Sequence, residues 1–328
     1  MLDLIFNVMW WIASVIAPAF ICWIAGIILL RFEAGRVIIT IACKIMWLLF
    51  VVGIVGIIIG NRYMEWFRFA PFLMFLKTPV PTLFQVILQL SGMVITPIIY
   101  KFKLPSKENY TLRGDYILPF TGKWTVVNGG LHKKISHSWG ILTQRYAYDF
   151  IIVDDEGKSS SGDRKSVHNY HCYGKDIIAP ADGVVVKLYN KHKDSMVDGK
   201  SAYCNASRIQ GNYIIIKHNE FEYSMIAHIM RDSIAVKVGD MVKQGDIIAK
   251  CGNTGNSSEP HIHFQLQAGT SLFLSAGLPI AFTNINAQDK KNYDVLDKRS
   301  CDDNLQVVGN KSYIGRGLEV ENTILIGV

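Results

Sequence analysis

The sequence predicts N-terminal transmembrane helices followed by one mainly antiparallel β domain. Three observations predict it. The N-terminal part contains long runs without charge, and short apolar runs bounded by turn formers recur from about residue 104 onward. All nine histidines fall in that second part.

No charged residue lies between Asp3 and Arg31, and Val37 to Gly60 carries only Lys44. Runs of this length cross the roughly 30 Å of a bilayer core at about 1.5 Å per residue. Lys44 sits near the start of its run and can snorkel towards the headgroups. A third run, Thr78 to Tyr100, is also uncharged but contains Pro79, Pro81, Gln85, Gln89 and Pro97. Spanning is the expectation for it, with re-entry or an interfacial position as the alternatives. The reading is a membrane domain over residues 1–103 with two or three helices, about 4–30, 37–60 and 78–100, and a second domain over 104–328 with its core at about 115–290. A cleavable signal peptide does not suit the first run, which is too long and lacks a basic leader. Arg31 and Arg36 fall in the first loop, and Arg62, Arg68 and Lys77 in the second. With three helices, the more basic second loop inside places the larger domain outside.

The second part is about 225 residues long, enough for one core. A net charge of +7 suits the neighbourhood of an anionic polymer or lipid surface. No arginine-rich helix or aromatic-interleaved basic stripe points to nucleic acid, and nothing specifies an oligomeric state. Cys22 and Cys43 lie in the apolar runs, leaving Cys172, Cys204, Cys251 and Cys301. None has C-x-x-C spacing, which argues against a cysteine zinc site. Disulfides among these four and buried free thiols both remain open.

The strand-like runs are Trp124–Val127, Tyr148–Val153, Gly183–Leu188, Tyr213–Lys217 and Phe264–Leu266, and no long stretch shows a helical period. Ala179-Pro180-Ala181-Asp182-Gly183 opens one strand. Val238 to Asp246 reads as two turns flanking a short strand, an arrangement that resembles the hammerhead hairpins of lipoyl and biotinyl domains. Such carriers present a lysine at a tight hairpin tip, and this chain has no equivalent.

The chemistry concentrates in Ser257-Ser258-Glu259-Pro260-His261-Ile262-His263-Phe264. On a strand, residues two apart share a face, so His261 and His263 point into one site while Ile262, Phe264 and Leu266 face a core. His228 lies within the apolar run Tyr223–Ile229, where a structural role is the bland reading. Asp149 is a lone carboxylate in the aromatic run Tyr146–Phe150, and its burial calls for a cation or several hydrogen bonds. The loop Gly252–Ser258 leads straight into the histidine strand.

Taken in order, Tyr148-Asp149-Phe150, the Ala179–Gly183 turn, the histidine of Met225–Ile229, Val238-Gly239-Asp240 and Gly252–Phe264 closely resemble the LytM/lysostaphin-type zinc metallopeptidases over about residues 115–290. The resemblance implies a β-sheet groove holding one Zn²⁺ with a His-Asp-His set, open at the fourth position. It implies Asp149 and His263 as ligands, with His228 and His261 flanking the reacting water and oxyanion. It also implies a glycine-rich loop along which a peptide backbone can lie.

One position departs from that pattern. The family's usual first ligand, four residues before the aspartate, is Arg145 here, and a guanidinium cannot bind zinc. A similar branch of the family carries an Asn-Gly-Gly turn and a histidine about a dozen residues before the aspartate, which makes His137 the first choice of ligand and His132 the second. Arg145 is left to orient Asp149 or a substrate carboxylate. The function implied is a membrane-anchored bacterial zinc endopeptidase acting on peptidoglycan stems or cross-bridges, with its catalytic domain outside the cell membrane. A non-catalytic wall-binding or regulatory module and a membrane-proximal processor of protein substrates are the rivals. His168, His171, His192 and His218 match no site position.

Overall fold

Short runs of β-branched and aromatic residues, each ended by Gly, Asn or Asp, satisfy their backbone N–H and C=O groups only by pairing with other strands. The structure, a computed structural model, describes residues 80–197, 208–299, 301 and 304–323. The runs at 4–30 and 37–60 lie outside the described residues. The chain divides into compact units Met1–Phe84 and Gln85–Val328, and every strand among the described residues falls in the second.

In chain order the elements are α1 Val80–Ile99, β1 Trp124–Asn128, β2 Tyr148–Ile151, β3 Asp176–Ile178, β4 Gly183–Tyr189, β5 Asn212–Lys217, β6 Tyr223–Ile229, β7 Met241–Val242, β8 Ile247–Lys250, β9 Ile262–Gln267, β10 Gly277–Leu278, β11 Phe282–Thr283, β12 Ile285–Asp289, α2 Tyr293–Leu296, β13 Leu305–Val308, β14 Lys311–Ile314 and β15 Leu318–Asn322. Ten strands form one sheet in the order β12-β15-β1-β2-β9-β6-β5-β4-β7, with β10 on β9. The expected antiparallel β domain is present. Its three middle strands, β2, β9 and β6, carry the polar residues singled out above.

Ile262, Phe264 and Leu266 are buried on one face of β9, as the alternation requires. Phe282 on β11 is the hub of that side, with ring centroids 5.6 Å from Tyr148, 6.4 Å from Phe150 and 5.9 Å from Phe264. Each such side chain contributes about 1.5–3 kcal/mol on burial, and together they fix β2 against β9. The turns at Val238–Asp246 form as read: Asp240 accepts from Lys237 N at 2.8 Å and Asp246 from Lys243 N at 2.7 Å. Residues after Asn286 are part of the domain: β15 pairs with both β1 and β12 and buries Leu318 and Val320, while β13 and β14 form a second, three-stranded sheet with β11. Cys172, Cys251 and Cys301 carry free thiols.

The spanning expected for 78–100 finds no support in the structure. Among the described residues no helix is long and apolar enough to cross a membrane. In α1 the polar and small residues Gln85, Gln89, Gly92 and Thr96 recur at helical spacing, and the domain uses Gln85, Gly92 and Thr96. Gln85 Oε1 accepts from Ile209 N at 2.8 Å, and Thr96 Oγ1 donates to Leu274 O at 3.2 Å. A Cβ at Gly92 would overlap the Phe273 carbonyl oxygen.

A second anchor ties the segment after α1 to the sheet. The buried Glu222 carboxylate accepts from Tyr110 Oη (2.9 Å), Arg113 N (2.6 Å), Gly114 N (2.9 Å), Tyr116 Oη (2.8 Å) and Asn219 Nδ2 (2.7 Å). Burial pushes its pKa up, but these donors outweigh burial and hold it below 4.5. A depressed carboxylate stabilises the fold above its unfolded pKa and loses that contribution as pH falls through the folded value. Glu222→Leu strands five donors and is expected to cost on the order of 3–5 kcal/mol in urea unfolding at pH 7. Below about pH 4.5 the wild type should weaken more steeply than Glu222→Gln.

Candidate metal centre

β2 and β9 run antiparallel with Asp149 directly opposite His263. Opposed residues project from the same face, and His261, two positions earlier, shares it. β6 lies on the other side of β9, with Ala227 opposite His263. Between β5 and β6 the register slips, because Asn212 pairs with Ile229 and Tyr213 with Ala227. His228 is therefore the extra residue of a bulge, at φ 61°, and the bulge turns its ring towards the β9 imidazoles. Its ring centroid stands 4.7 Å from that of His261 and 5.7 Å from that of His263.

Asp149 is the centre of the cluster. Its Oδ1 lies 2.9 Å from His263 Nδ1 and 3.7 Å from His261 Nε2, and its Oδ2 lies 3.4 Å from His137 Nδ1. All five residues singled out from sequence converge here. His132 is exposed at the start of the turn that precedes His137. The structure separates Arg145 from Asp149: its Nε donates to Trp139 O at 3.3 Å and its guanidinium lies 5.3 Å from the Trp139 ring centroid. Asn128 takes the orienting place instead, donating from Nδ2 to Asp149 Oδ2 at 3.1 Å. A register shift in β1 between Val126 and Asn128 sets Asn128 opposite Asp149.

Neighbours fix the proton positions. A carbonyl only accepts, so His228 Nδ1, 2.7 Å from Thr254 O, carries the proton and Nε2 keeps its lone pair. His261 Nδ1 likewise donates to Glu259 O at 2.8 Å. His263 Nε2 donates to Gln265 Oε1 at 3.0 Å, and the Gln265 amide is held in that sense by donating to Thr143 O and Gln267 Oε1. His263 Nδ1 faces the Asp149 carboxylate, a second acceptor, so hydrogen bonds at both ring nitrogens belong to the imidazolium, the form that Asp149 favours. The polar stripe His261, His263, Gln265, Gln267 was visible in the period-2 pattern, though the sequence reading stopped at the histidines.

The electrostatics follow from burial and mutual contact. Burial pushes Asp149 up, but His137 and His263 more than offset it and hold the carboxyl well below the usual range. Burial opposes protonation of His263, yet Asp149 raises its pKa. His137 is lowered by partial desolvation against the pull of Asp149, although its side chain stays 39% exposed. His228, fully enclosed beside two other imidazoles, is held well below 6.5.

A carboxylate and several imidazoles on one wall match the donor chemistry of zinc. Among the described residues no group of three His, Cys, Asp or Glu is spaced to hold an ion; the donors here hydrogen-bond one another. The fit is one of donor type. A cleft of about 290 Å³ opens beside them, lined by Asn128, Asp149, Glu259 and His261 on one side and by Leu296, Asp297 and Arg299 on the other. Arg299 is clamped by Asp297 and donates to Asn128 Oδ1 at 3.1 Å, which turns the Asn128 amide the right way round for Asp149. Two loop glycines allow close packing within the domain: a Cβ at Gly252 would overlap the Met230 backbone nitrogen, and one at Gly255 the Gly211 backbone nitrogen.

Residues 165–273 match the model of peptidase family M23, a range that holds His228, His261 and His263 but neither Asp149 nor His137. The chain is similar to the peptidoglycan DD-endopeptidase ShyB of Vibrio cholerae serotype O1, with 37% identity over 86 residues, 26% of this chain and 20% of that one. It is also similar to the murein hydrolase activator NlpD of Escherichia coli K12, with 35% identity over 127 residues, 39% of this chain and 28% of that one. The chain thus spans less than a third of the length of either. Among solved structures, a mutant catalytic domain of the M23 protein EnpA from Enterococcus faecalis matches with 18% identity and a TM-score of 0.31, covering 50% of this chain and 95% of that one.

Proposed function

We propose that this chain is a membrane-anchored zinc metalloendopeptidase that cleaves peptide bonds in peptidoglycan stems or cross-bridges, with its β domain on the outer side of a bacterial membrane. The observation that carries the reading is one buried carboxylate ringed by imidazoles from neighbouring strands, at the edge of an open cleft. Among the relatives, the one named for DD-endopeptidase activity supports the reaction class.

In this reading His137, Asp149 and His263 hold the metal, and His228 and His261 handle protons. When bound, zinc supplies a Lewis acid that polarises a carbonyl and acidifies water. His228 and His261, each with Nδ1–H committed to a backbone carbonyl, present Nε2 as the atom that takes or returns a proton. Asn128 and Gln265 hold the Asp149 and His263 side chains in their orientations. The cleft walls, including Leu296, position an extended peptide alongside.

Elemental mass spectrometry of purified full-length protein tests the metal assignment. One zinc per chain is expected, and a parent-level zinc content in His137→Ala would remove His137 from the ligand set. Gln265→Ala is expected to weaken zinc retention about 10- to 100-fold in competition with a chelating dye while leaving the melting temperature within a few degrees.

A second reading has an observation of its own. The relative named murein hydrolase activator, together with Arg145 at the position where the family carries a histidine, suits a module that binds wall peptides without cutting them. Zinc-replete protein that binds peptidoglycan and releases no fragments would favour it.

A further inference from the structure

The strongest feature outside the metal cluster is the outer face of α1. Successive residues of a helix are about 100° apart, which places Gln85, Gln89, Gly92 and Thr96 on one side and Leu90, Val94 and Ile98 on the opposite side. The first side is the one bound to the domain at Ile209, Phe273 and Leu274. The second is open: Leu90 is 58% exposed, Val94 66% and Ile98 59%. The apolar strip continues past the helix to Phe102, 79% exposed and held at φ 59°, a conformation that a bulky residue seldom adopts. Water is a poor medium for such a strip, and an apolar band of this kind marks a contact surface.

Charge and chain continuity indicate what covers it. Lys101 and Lys103, both exposed, flank Phe102, and no acidic residue occurs between Glu65 and Glu108, while Arg68, Lys77, Lys101, Lys103 and Lys107 all do. Upstream of the helix in sequence lie two apolar runs of bilayer-spanning length, one free of charge and one carrying only Lys44. Apolar side chains beside lysines, on a segment leaving such a stretch, match the chemistry of an anionic lipid surface.

We infer that α1 is an interfacial helix, with Leu90, Val94, Ile98 and Phe102 seated among lipid acyl chains and Lys101 and Lys103 at anionic headgroups, while its opposite side grips the β domain. The helix is then a bracket that holds the domain at a fixed attitude to the bilayer. This does not depend on the metal centre or on any hydrolytic activity.

The test uses the full chain reconstituted into vesicles with and without phosphatidylglycerol, carrying p-benzoylphenylalanine at residue 94 or, for reference, at residue 307, an exposed position on β13. On irradiation, residue 94 is expected to give lipid adducts by mass spectrometry at severalfold the yield of residue 307. The yield at 94 should rise with phosphatidylglycerol and fall severalfold in the Lys101→Glu, Lys103→Glu variant. Adducts from residue 94 to residues 1–79 or to a second copy, or equal lipid yields at 94 and 307, would overturn the proposal. Hydrolysis of peptidoglycan is not read in this experiment, so its outcome is separate from that of the peptidase reading.

Discussion

His263→Ala is expected to remove bound zinc and to bring peptidoglycan hydrolysis down to the level of buffer alone. Two effects act together. The side chain is an intended ligand, and it is also the nearest partner of the buried Asp149 carboxylate, at 2.9 Å. Deleting it leaves a buried charge with weaker support from His137, His261 and Asn128, an arrangement that costs about 3–5 kcal/mol when one member of a buried pair is lost. Metal-free His263→Ala should therefore melt below metal-free wild type at pH 7. The gap should narrow in acid, because the wild-type pairing depends on an ionised Asp149 and the carboxyl lies well below the usual range only while its partners remain. Circular dichroism checks that the sheet persists, and elemental analysis checks the zinc.

His228→Ala should behave differently. The proton-handling role predicts a fall of about 10²- to 10⁴-fold in kcat/KM, with zinc content equal to that of the parent, since this imidazole is bonded to Thr254 and not to the Asp149 carboxylate. Equal loss of zinc and activity would move His228 into the ligand set. A companion variant separates the chemistry from the backbone. His228 sits at φ 61° on the bulge, and the left-handed region costs a residue with a Cβ roughly 1–2 kcal/mol. His228→Gly should thus melt above His228→Ala while being equally inactive.

Much of this site was legible before any coordinates. The placement of His261 and His263 on one face follows from the two-residue period of a strand, and the lone carboxylate at Asp149 stood out because its neighbours are aromatic, whereas Gln265 and Gln267 on the same face went unread. His137 was reached only through family resemblance, since no local spacing relates it to Asp149; a loop returning over the sheet closes that distance. Asn128 and Arg299 were not legible as site residues. Asn128 meets Asp149 through a register shift in β1, and Arg299 arrives from a segment brought back by the pairing of β15 with β1. Sequence patterning marks neither a bulge nor a long-range closure of this kind. For 78–100 the reading named Gln85 and Gln89 and kept an interfacial position open beside spanning, but it did not place Gln85, Gln89, Gly92 and Thr96 on one side of a helix, the arrangement by which the domain holds α1.

The most direct measurement is mass spectrometry of soluble fragments released from purified, cross-linked peptidoglycan by the zinc-loaded full-length protein in detergent, with and without a chelator. The peptidase reading predicts fragments ending at one type of peptide bond, abolished by the chelator and restored by added zinc. Folded, zinc-loaded protein that releases no fragments, or fragments that persist after chelation and in His263→Ala, would contradict it.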